Sequence, residues 1–250
     1  MKKLLVCLLV LSLTACSTPG KMDISNPDDV VFTFGDETIT KEQIYKSLYA
    51  NVGLNTIVEE SFKIICTLEN TSLTIEQLKD NELFNEELTK VIHKYFDIDF
   101  DTYVSTLTPK QVEYIYFADE KIANQAHAAV LDGSKDFVTI ANENQFYGNY
   151  FPQVVTNTTA LPYVVKDAIL KSTNKELLPL LFDEEKGNYY IVNVLNTDVN
   201  EFKDDFYASL SQSQEYVINA YKYYFDKYDL TFYSEKVQED MKNSLPWIFE

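Results

Sequence analysis

Arginine is absent from this chain of 250 residues, so all 21 of its basic residues are lysines. Acidic residues number 39, which gives a formal net charge of −18 at neutral pH. Binding to nucleic acid or to anionic lipid headgroups needs basic patches, so this balance argues against both kinds of partner. The simplest role of the charge is solubility and mutual repulsion. Attraction of basic secreted proteins or of cations is the functional alternative.

Glycine, cysteine and histidine are also scarce, and this removes several kinds of site. Six unclustered glycines leave no G-x-G-x-x-G or P-loop pattern, and neither C-x-x-C nor H-E-x-x-H occurs. The two histidines, His93 and His127, lie in helix-like sequence without a neighbouring nucleophile turn. The segment D-I-D-F-D contains Asp97, Asp99 and Asp101 but not the glycine and the terminal glutamate of an EF-hand loop. This favours an acidic turn over a calcium site. No catalytic residue, metal or cofactor is predicted.

The first residues have the pattern of a targeting signal. Lys2 and Lys3 precede an apolar run over 4–13, which is shorter than the ~20 residues that span a membrane. The following L-T-A-C, ending at Cys16, resembles the bacterial lipobox. We predict a signal peptide over 1–15, lipidation of Cys16, a polar tether over 16–29, and an extracytoplasmic protein anchored to the cell membrane. Secretion with ordinary cleavage nearby is the alternative. Cys66 then remains as a buried, inert thiol.

Local signals divide the rest of the chain. A hairpin over 31–39 leads to a helix that begins with a capping box of Thr40 and Gln43. Further helices are predicted over 57–68, over 100–107, and over 201–227 as one long helix. One or two more helices are predicted after a second capping box at Thr74 and Gln77. The helix over 57–68 is expected to bury a stripe that comprises Ile57, Ser61, Ile64, Ile65 and Leu68.

The middle of the chain is predicted to alternate strand and helix. The run V-E-Y-I-Y-F from Val112 is typical of a buried strand, and Asp119 stands at the N-cap of the next helix. Gly133 marks the end of that helix. A shorter helix with Phe137 on its apolar side follows, and a closing strand is expected after Gly187.

The order of these elements resembles the parvulin domain of peptidyl-prolyl isomerases. The opening V-V-F-T-F-G-D-E-T-I-T is similar to the start of PrsA- and SurA-type foldases. The resemblance implies an α+β fold in which a mostly helical SurA-like chaperone module, residues 30–108 and 199–250, holds an inserted parvulin-like α/β domain, 109–198. The matching positions within that domain are Gly133, Asp136, Phe137, Ala141, Pro162, Ala168 and Gly187.

Departures from the parvulin pattern concern the isomerase residues. The resemblance puts Tyr114 and Tyr190 where active members carry histidines, the Gly-Gly-x-Leu-Gly turn is reduced to Gly148, and the groove's acidic or cysteine residue has no evident counterpart. It therefore implies a domain without isomerase activity. Tyr114, Tyr116, Phe137 and Tyr190 become a candidate groove for binding client protein. An active isomerase that uses tyrosine hydroxyls in place of imidazoles is the alternative.

The resemblance implies a lipid-anchored foldase that holds unfolded or newly exported proteins, and it allows a homodimer. The 18 tyrosines and 16 phenylalanines suit half-exposed surfaces that hold unfolded segments, although they are equally consistent with core packing. A solute-binding lipoprotein is disfavoured because the chain has too few βαβ units. A surface adhesin that uses the fold as a scaffold is the third alternative.

Overall fold

The structure is a computed structural model that describes residues 26–34, 37–143 and 147–249. The predicted signal peptide, Cys16 and most of the tether lie outside the described residues, as does the predicted turn at Gly35 and Asp36. The chain forms two compact units. The helical unit combines the two ends of the chain, Met1–Tyr95 and Gln214–Glu250, and the sheet unit is Phe96–Ser213. The predicted α+β fold, with an α/β part inserted in a mostly helical one, is confirmed.

The helical unit starts with the predicted hairpin, in which β1 (Val30–Phe34) and β2 (Glu37–Thr40) pair antiparallel. Helix α1 (Lys41–Leu48) follows, and both hydrogen bonds of the predicted Thr40–Gln43 capping box are present. A π-helical segment (Tyr49–Gly53), α2 (Leu54–Glu69) and α3 (Asn81–Ile98) come next. From the C-terminal part come α9 (Gln214–Lys227), α10 (Glu235–Ser244) and a 3₁₀ turn (Pro246–Ile248).

Aromatic side chains from both ends of the chain build the helical core. The ring of Phe62 on α2 lies 4.1 Å from that of Tyr221 and 5.2 Å from that of Phe225, both on α9. Phe225 stacks in turn on Trp247, with ring centroids 6.3 Å apart. The buried Tyr224 hydroxyl donates to the carbonyl of Val91 on α3 at 2.8 Å, so its polar end is satisfied inside the core.

The predicted apolar stripe of α2 is wrong in part. Phe62, Ile65 and Cys66 are buried, whereas Ile64 and Leu68 are each 48% exposed. Helix α2 therefore turns a different face to the core from the predicted one. The Phe62 ring buries more apolar area than Ile64 or Leu68 would in its place. Cys66 is fully buried, as predicted, and burial raises the pKa of its thiol to about 12.

The second predicted capping box forms, but it opens only a short 3₁₀ turn (Gln77–Lys79). Helix α3 has its own cap, because the carboxylate of Asp80 accepts the N–H of Leu83 at 2.9 Å. The two segments are therefore separate elements.

The sheet unit begins with α4 (Phe100–Leu107), as predicted, and is built on an antiparallel sheet of strand order β4-β3-β7-β5, with β6 also paired to β7. Its strands are β3 (Lys110–Phe117), β4 (Tyr147–Val155), β5 (Glu176–Leu177), β6 (Leu181–Asp183) and β7 (Asn188–Asn196). Its other helices are α5 (Glu120–Leu131), α6 (Phe137–Glu143), α7 (Tyr163–Lys171) and α8 (Lys203–Leu210), with a 3₁₀ turn (Val199–Phe202) before α8.

Alternation along the strands gives the sheet two apolar faces. One face carries Val112, Val192 and Val194, which form a cluster with Val165 and Ile169 of α7. The opposite face carries a second cluster to which α5 and α6 contribute. Its buried members are Ile115, Phe117, Ala123, Ala126, Phe137, Ile140 and Ile191.

Two parts of the sheet unit differ from the sequence prediction. The long helix predicted over 201–227 is wrong, since Ser211, Gln212 and Ser213 form a turn between α8 and α9. The turn coincides with the end of the sheet unit, so the change of unit interrupts the periodic pattern. Strand β4 was not predicted. It contains Gly148, whose φ is +105° and whose α-carbon lies so close to Tyr114 that an added Cβ would be 2.9 Å from the Tyr114 carbonyl oxygen.

Candidate client-binding surfaces

Four tyrosines form a row across three neighbouring strands of the sheet unit. Tyr116 on β3 stacks on Tyr190 of β7 with ring centroids 4.7 Å apart, and on Tyr147 of β4 at 5.4 Å. Tyr114, two residues earlier on β3, lies 6.3 Å from Tyr190. The register of the sheet produces this row, because it pairs Tyr116 with both Tyr147 and Tyr190. We call Tyr114, Tyr116, Tyr147 and Tyr190 the tyrosine row.

Exposure differs sharply along the row. Tyr190 is only 3% exposed and belongs to the buried cluster under α7, whereas Tyr147 at the β4 end is 52% exposed. Tyr114 and Tyr116 are half-buried. A peptide laid on this face would therefore contact Tyr147 and the open edges of Tyr116 and Tyr114, with Tyr190 as their support.

The hydroxyls of Tyr190 and Tyr114 are held in the neutral form. Burial, and then the neighbouring Tyr116 and Asp183, raise the pKa of Tyr190 to about 12. Burial, followed by Tyr116, also raises the pKa of Tyr114. At neutral pH both side chains can donate a hydrogen bond but do not act as bases, unlike an imidazole.

Asp183 is a site residue that sequence reasoning missed. It ends β6, is only 4% exposed, and raises the pKa of Tyr190 through its charge. Its Oδ1 accepts the N–H of Glu185 at 3.2 Å, while its Oδ2 is buried and has no hydrogen-bond partner among the described residues. The sequence F-D-E-E-K-G gave no signal, because an acidic residue before lysine and glycine is typical of a solvated turn.

Phe137 does not lie with the other predicted groove residues. It begins α6 and is 3% exposed in the cluster on the opposite face of the sheet. The structure therefore brings together three residues of the predicted groove, Tyr114, Tyr116 and Tyr190, but not the fourth, Phe137. The face of the sheet on which a helix packs depends on how the chain crosses over between strands, and spacing within the helix does not reveal it.

The remaining candidates for chemistry have structural surroundings. The Nε2 of His127 is hydrogen-bonded to the carbonyl of Leu178 at 2.8 Å, which ties α5 to the segment before β6. Asp97 accepts the Tyr207 hydroxyl and pairs with Lys203, both at 2.6 Å. Across the described part of the chain, no group of three or more histidine, cysteine or acidic residues is arranged to hold a metal ion.

A second surface lies at the start of the helical unit. Although α1 has an amphipathic sequence, none of its residues is buried. Leu48 is 57% exposed and Val52, in the π-helical segment, is 51% exposed. We call these two, together with the other exposed large apolar residues of β1, α1 and α2, the exposed apolar set, which comprises Val30, Val31, Tyr45, Leu48, Val52, Ile64 and Leu68.

Among known proteins, the chain shows similarity only to solved structures. No protein-family model and no curated protein matches the chain. It is similar to the crystal structure of foldase protein PrsA from Streptococcus pneumoniae, with 12% identity over 87% of this chain and 100% of that chain, at a TM-score of 0.42.

Two further PrsA structures show comparable likeness. PrsA from Bacillus subtilis has 14% identity over 88% of this chain and 99% of its own, with a TM-score of 0.39. The peptidylprolyl isomerase PrsA from Bacillus cereus has 15% identity with the same coverage and a TM-score of 0.34. The sequences are too distant for functional residues to be transferred, so function must rest on this chain's own side chains. In the described ranges, no helix is both long and apolar enough to cross a membrane.

Proposed function

We propose that this protein is an extracytoplasmic holdase, anchored through a lipidated Cys16, which binds apolar segments of newly exported proteins. The observation that carries the proposal is the absence of any buried residue in α1, together with the exposed apolar set around it. Ile64 and Leu68 are four residues apart on α2 and so share a face, and exposed apolar side chains that adjoin one another are typical of interaction sites. No covalent chemistry is required, because a holdase acts by preferring unfolded over folded chains.

The energy available at α1 suits weak, reversible binding. Full burial of a leucine or valine side chain contributes about 1.5–3 kcal/mol, and Leu48 and Val52 are roughly half exposed. Each would therefore add about 1 kcal/mol when a client covers it. The high negative charge of the chain opposes self-association through the same surface.

The test is suppression of aggregation by the soluble fragment 17–250. We expect near-stoichiometric amounts of the fragment to keep a denatured client in solution. The double variant Leu48→Ser, Val52→Ser, which loses about 2 kcal/mol of contact, should bind the client about thirtyfold less tightly and suppress its aggregation correspondingly less. Leu131→Ser is the matched control, because Leu131 is 69% exposed on α5 in the sheet unit. An unchanged double variant would exclude α1 as the binding surface. A folded fragment with no effect on any client would favour a binding or adhesin lipoprotein.

We propose further that the sheet unit has no isomerase activity, in line with its parvulin-like order of elements. The positions that the resemblance assigns to histidine hold Tyr114 and Tyr190, whose raised pKa values keep their hydroxyls neutral. An active enzyme that uses those hydroxyls is the second candidate, favoured by their neighbouring placement in the tyrosine row. A proline-isomerisation assay separates the two: rate enhancement that is lost in Tyr190→Phe would establish the enzyme.

A further inference from the structure

A cleft of about 310 Å³ lies in the helical unit, where the end of α9 and the chain after it meet the C-terminal turn. Its volume falls at the lower end of the range for small-ligand sites. Five of its eight lining residues are apolar and two are acidic. The lining residues that matter here are Phe225, Asp226, Asp229, Leu230, Phe232 and Phe249.

The apolar part of the cleft is an aromatic wall. Phe225 is only 4% exposed and belongs to the helical core, so this part of the wall is rigid. Phe232 and Phe249 pack against each other, with ring centroids 5.8 Å apart. The ammonium of Lys242 lies 5.4 Å from the centre of the Phe249 ring, which shows that an aromatic ring of this cleft accepts a cation.

The acidic part of the cleft is uncompensated. Among the described residues, neither Asp226 nor Asp229 forms an ion pair within 4 Å. Lys227, which follows Asp226 in the chain, binds Glu69 at 2.5 Å instead. Lys242, whose ammonium lies over the Phe249 ring, forms no ion pair within 4 Å with either carboxylate. Two free carboxylates beside an aromatic wall have the chemistry that recognises an amphiphilic cation, with an apolar stem and a charged end.

We propose that this cleft binds a lysine or arginine side chain of a client peptide, together with an apolar neighbour of that residue. The proposal deepens the proposed holdase function, because it adds selection for basic segments to the affinity for apolar ones. The aromatic wall covers the aliphatic stem and the apolar neighbour, while Asp226 and Asp229 face the cationic end. Acidic segments are repelled by the same carboxylates.

Trp247 provides a reporter for the experiment. It is the only tryptophan in the chain, and its ring stacks on Phe225 at an interplanar angle of 9°. The full chain, purified with its anchor in detergent micelles, is titrated with a short peptide of alternating leucine and lysine while Trp247 fluorescence is followed. The same peptide with glutamine, and then with glutamate, at every lysine position provides the comparison.

The lysine peptide is expected to bind most tightly and the glutamate peptide least. Asp226→Asn combined with Asp229→Asn should weaken the lysine peptide about fivefold, since each exposed ion pair contributes ~0.2–1 kcal/mol, and should leave the glutamine peptide unchanged. Asparagine tolerates the left-handed backbone of Asp229, whose φ is +49°, so the double variant keeps the local fold. Glu82→Gln combined with Glu86→Gln, two exposed acids on α3, is the matched control for net charge.

Equal affinity for the lysine and glutamine peptides would overturn the proposal. So would the same loss in the control Glu82→Gln, Glu86→Gln as in the Asp226→Asn, Asp229→Asn variant, because general attraction to a chain of charge −18 would then explain the binding. Either result leaves suppression of aggregation by α1 untouched, since that assay uses a different surface and different variants. Failure of the cleft and failure of the holdase function are thus distinguishable.

Discussion

Glu69 should be the residue whose charge most stabilises the helical unit. Its side chain ends α2 with only 11% exposure, and it accepts hydrogen bonds from Lys227 at 2.5 Å, from the Tyr228 hydroxyl at 2.7 Å and from Lys94 at 3.4 Å. Glu69→Gln keeps the shape but removes the charge that these donors share. We expect a loss of about 2 kcal/mol in the free energy of unfolding, because a hydrogen bond to a charged group contributes ~1.5–3 kcal/mol.

The pH dependence of this loss gives a sharper test. Burial alone would raise the pKa of Glu69, but the hydrogen bonds from Lys227 and Tyr228 outweigh burial, and the net pKa is lowered. A lowered pKa means that the stabilisation is complete above the unfolded value of about 4.3 and disappears as the pH falls through the folded value. The difference between the native chain and Glu69→Gln should therefore be full at pH 7 and vanish in acid.

Urea unfolding followed by Trp247 fluorescence measures this directly, since Trp247 packs in the same unit through Phe225. Lys227→Met should lose a similar amount, and the double variant with Glu69→Gln should lose less than the sum of the two. A difference below about 0.5 kcal/mol at pH 7, the usual scatter for surface changes, would refute the reasoning. So would a difference that stays constant down to pH 3, which would assign the loss to packing instead of charge.

Three further predictions concern other parts of the chain. Phe62→Ala should lose about 3–5 kcal/mol of unfolding free energy by urea titration, while Leu68→Ala on the exposed side of α2 should lose under about 0.5 kcal/mol. Gly148→Ala should destabilise the sheet unit by about 2 kcal/mol or more, seen as a lower midpoint in far-ultraviolet circular dichroism, because its φ is positive and its neighbour's carbonyl is too close. Cys16→Ala should release the protein from the membrane fraction into the medium, detected by immunoblotting, because without lipid the tether has no anchor.

Local signals were sufficient wherever the cause of an element lies within a few residues. The Thr40–Gln43 capping box, the Asp119 cap of α5 and the stop at Gly133 are present as predicted, because each depends on hydrogen bonds or backbone angles within one turn. The order β3, α5, α6, α7 and β7 in the sheet unit, and its insertion into a helical one, were implied by the family resemblance.

Features that depend on distant partners were not predictable in the same way. Strand β4 contains Gly148 and Pro152, which argue against a strand in isolation and are accommodated here because β4 is at the edge of the sheet. The break between α8 and α9 and the rotation of α2 toward Phe62 depend on packing by residues far away in the chain. Within the candidate site, Tyr116 and Tyr190 were predictable as strand residues, but the face on which Phe137 lies was not.

The assembly of the helical unit from both ends of the chain has a consequence for the time at which it can form. Residues such as Glu69 and Tyr228, which bind each other in the finished unit, are 159 positions apart, so the first helices must wait until synthesis has delivered α9. The sheet unit has all of its strands earlier and can fold first. Until then Phe62 and the aliphatic side chains of α2 are themselves an unpacked apolar segment, of the kind that the completed protein is proposed to hold.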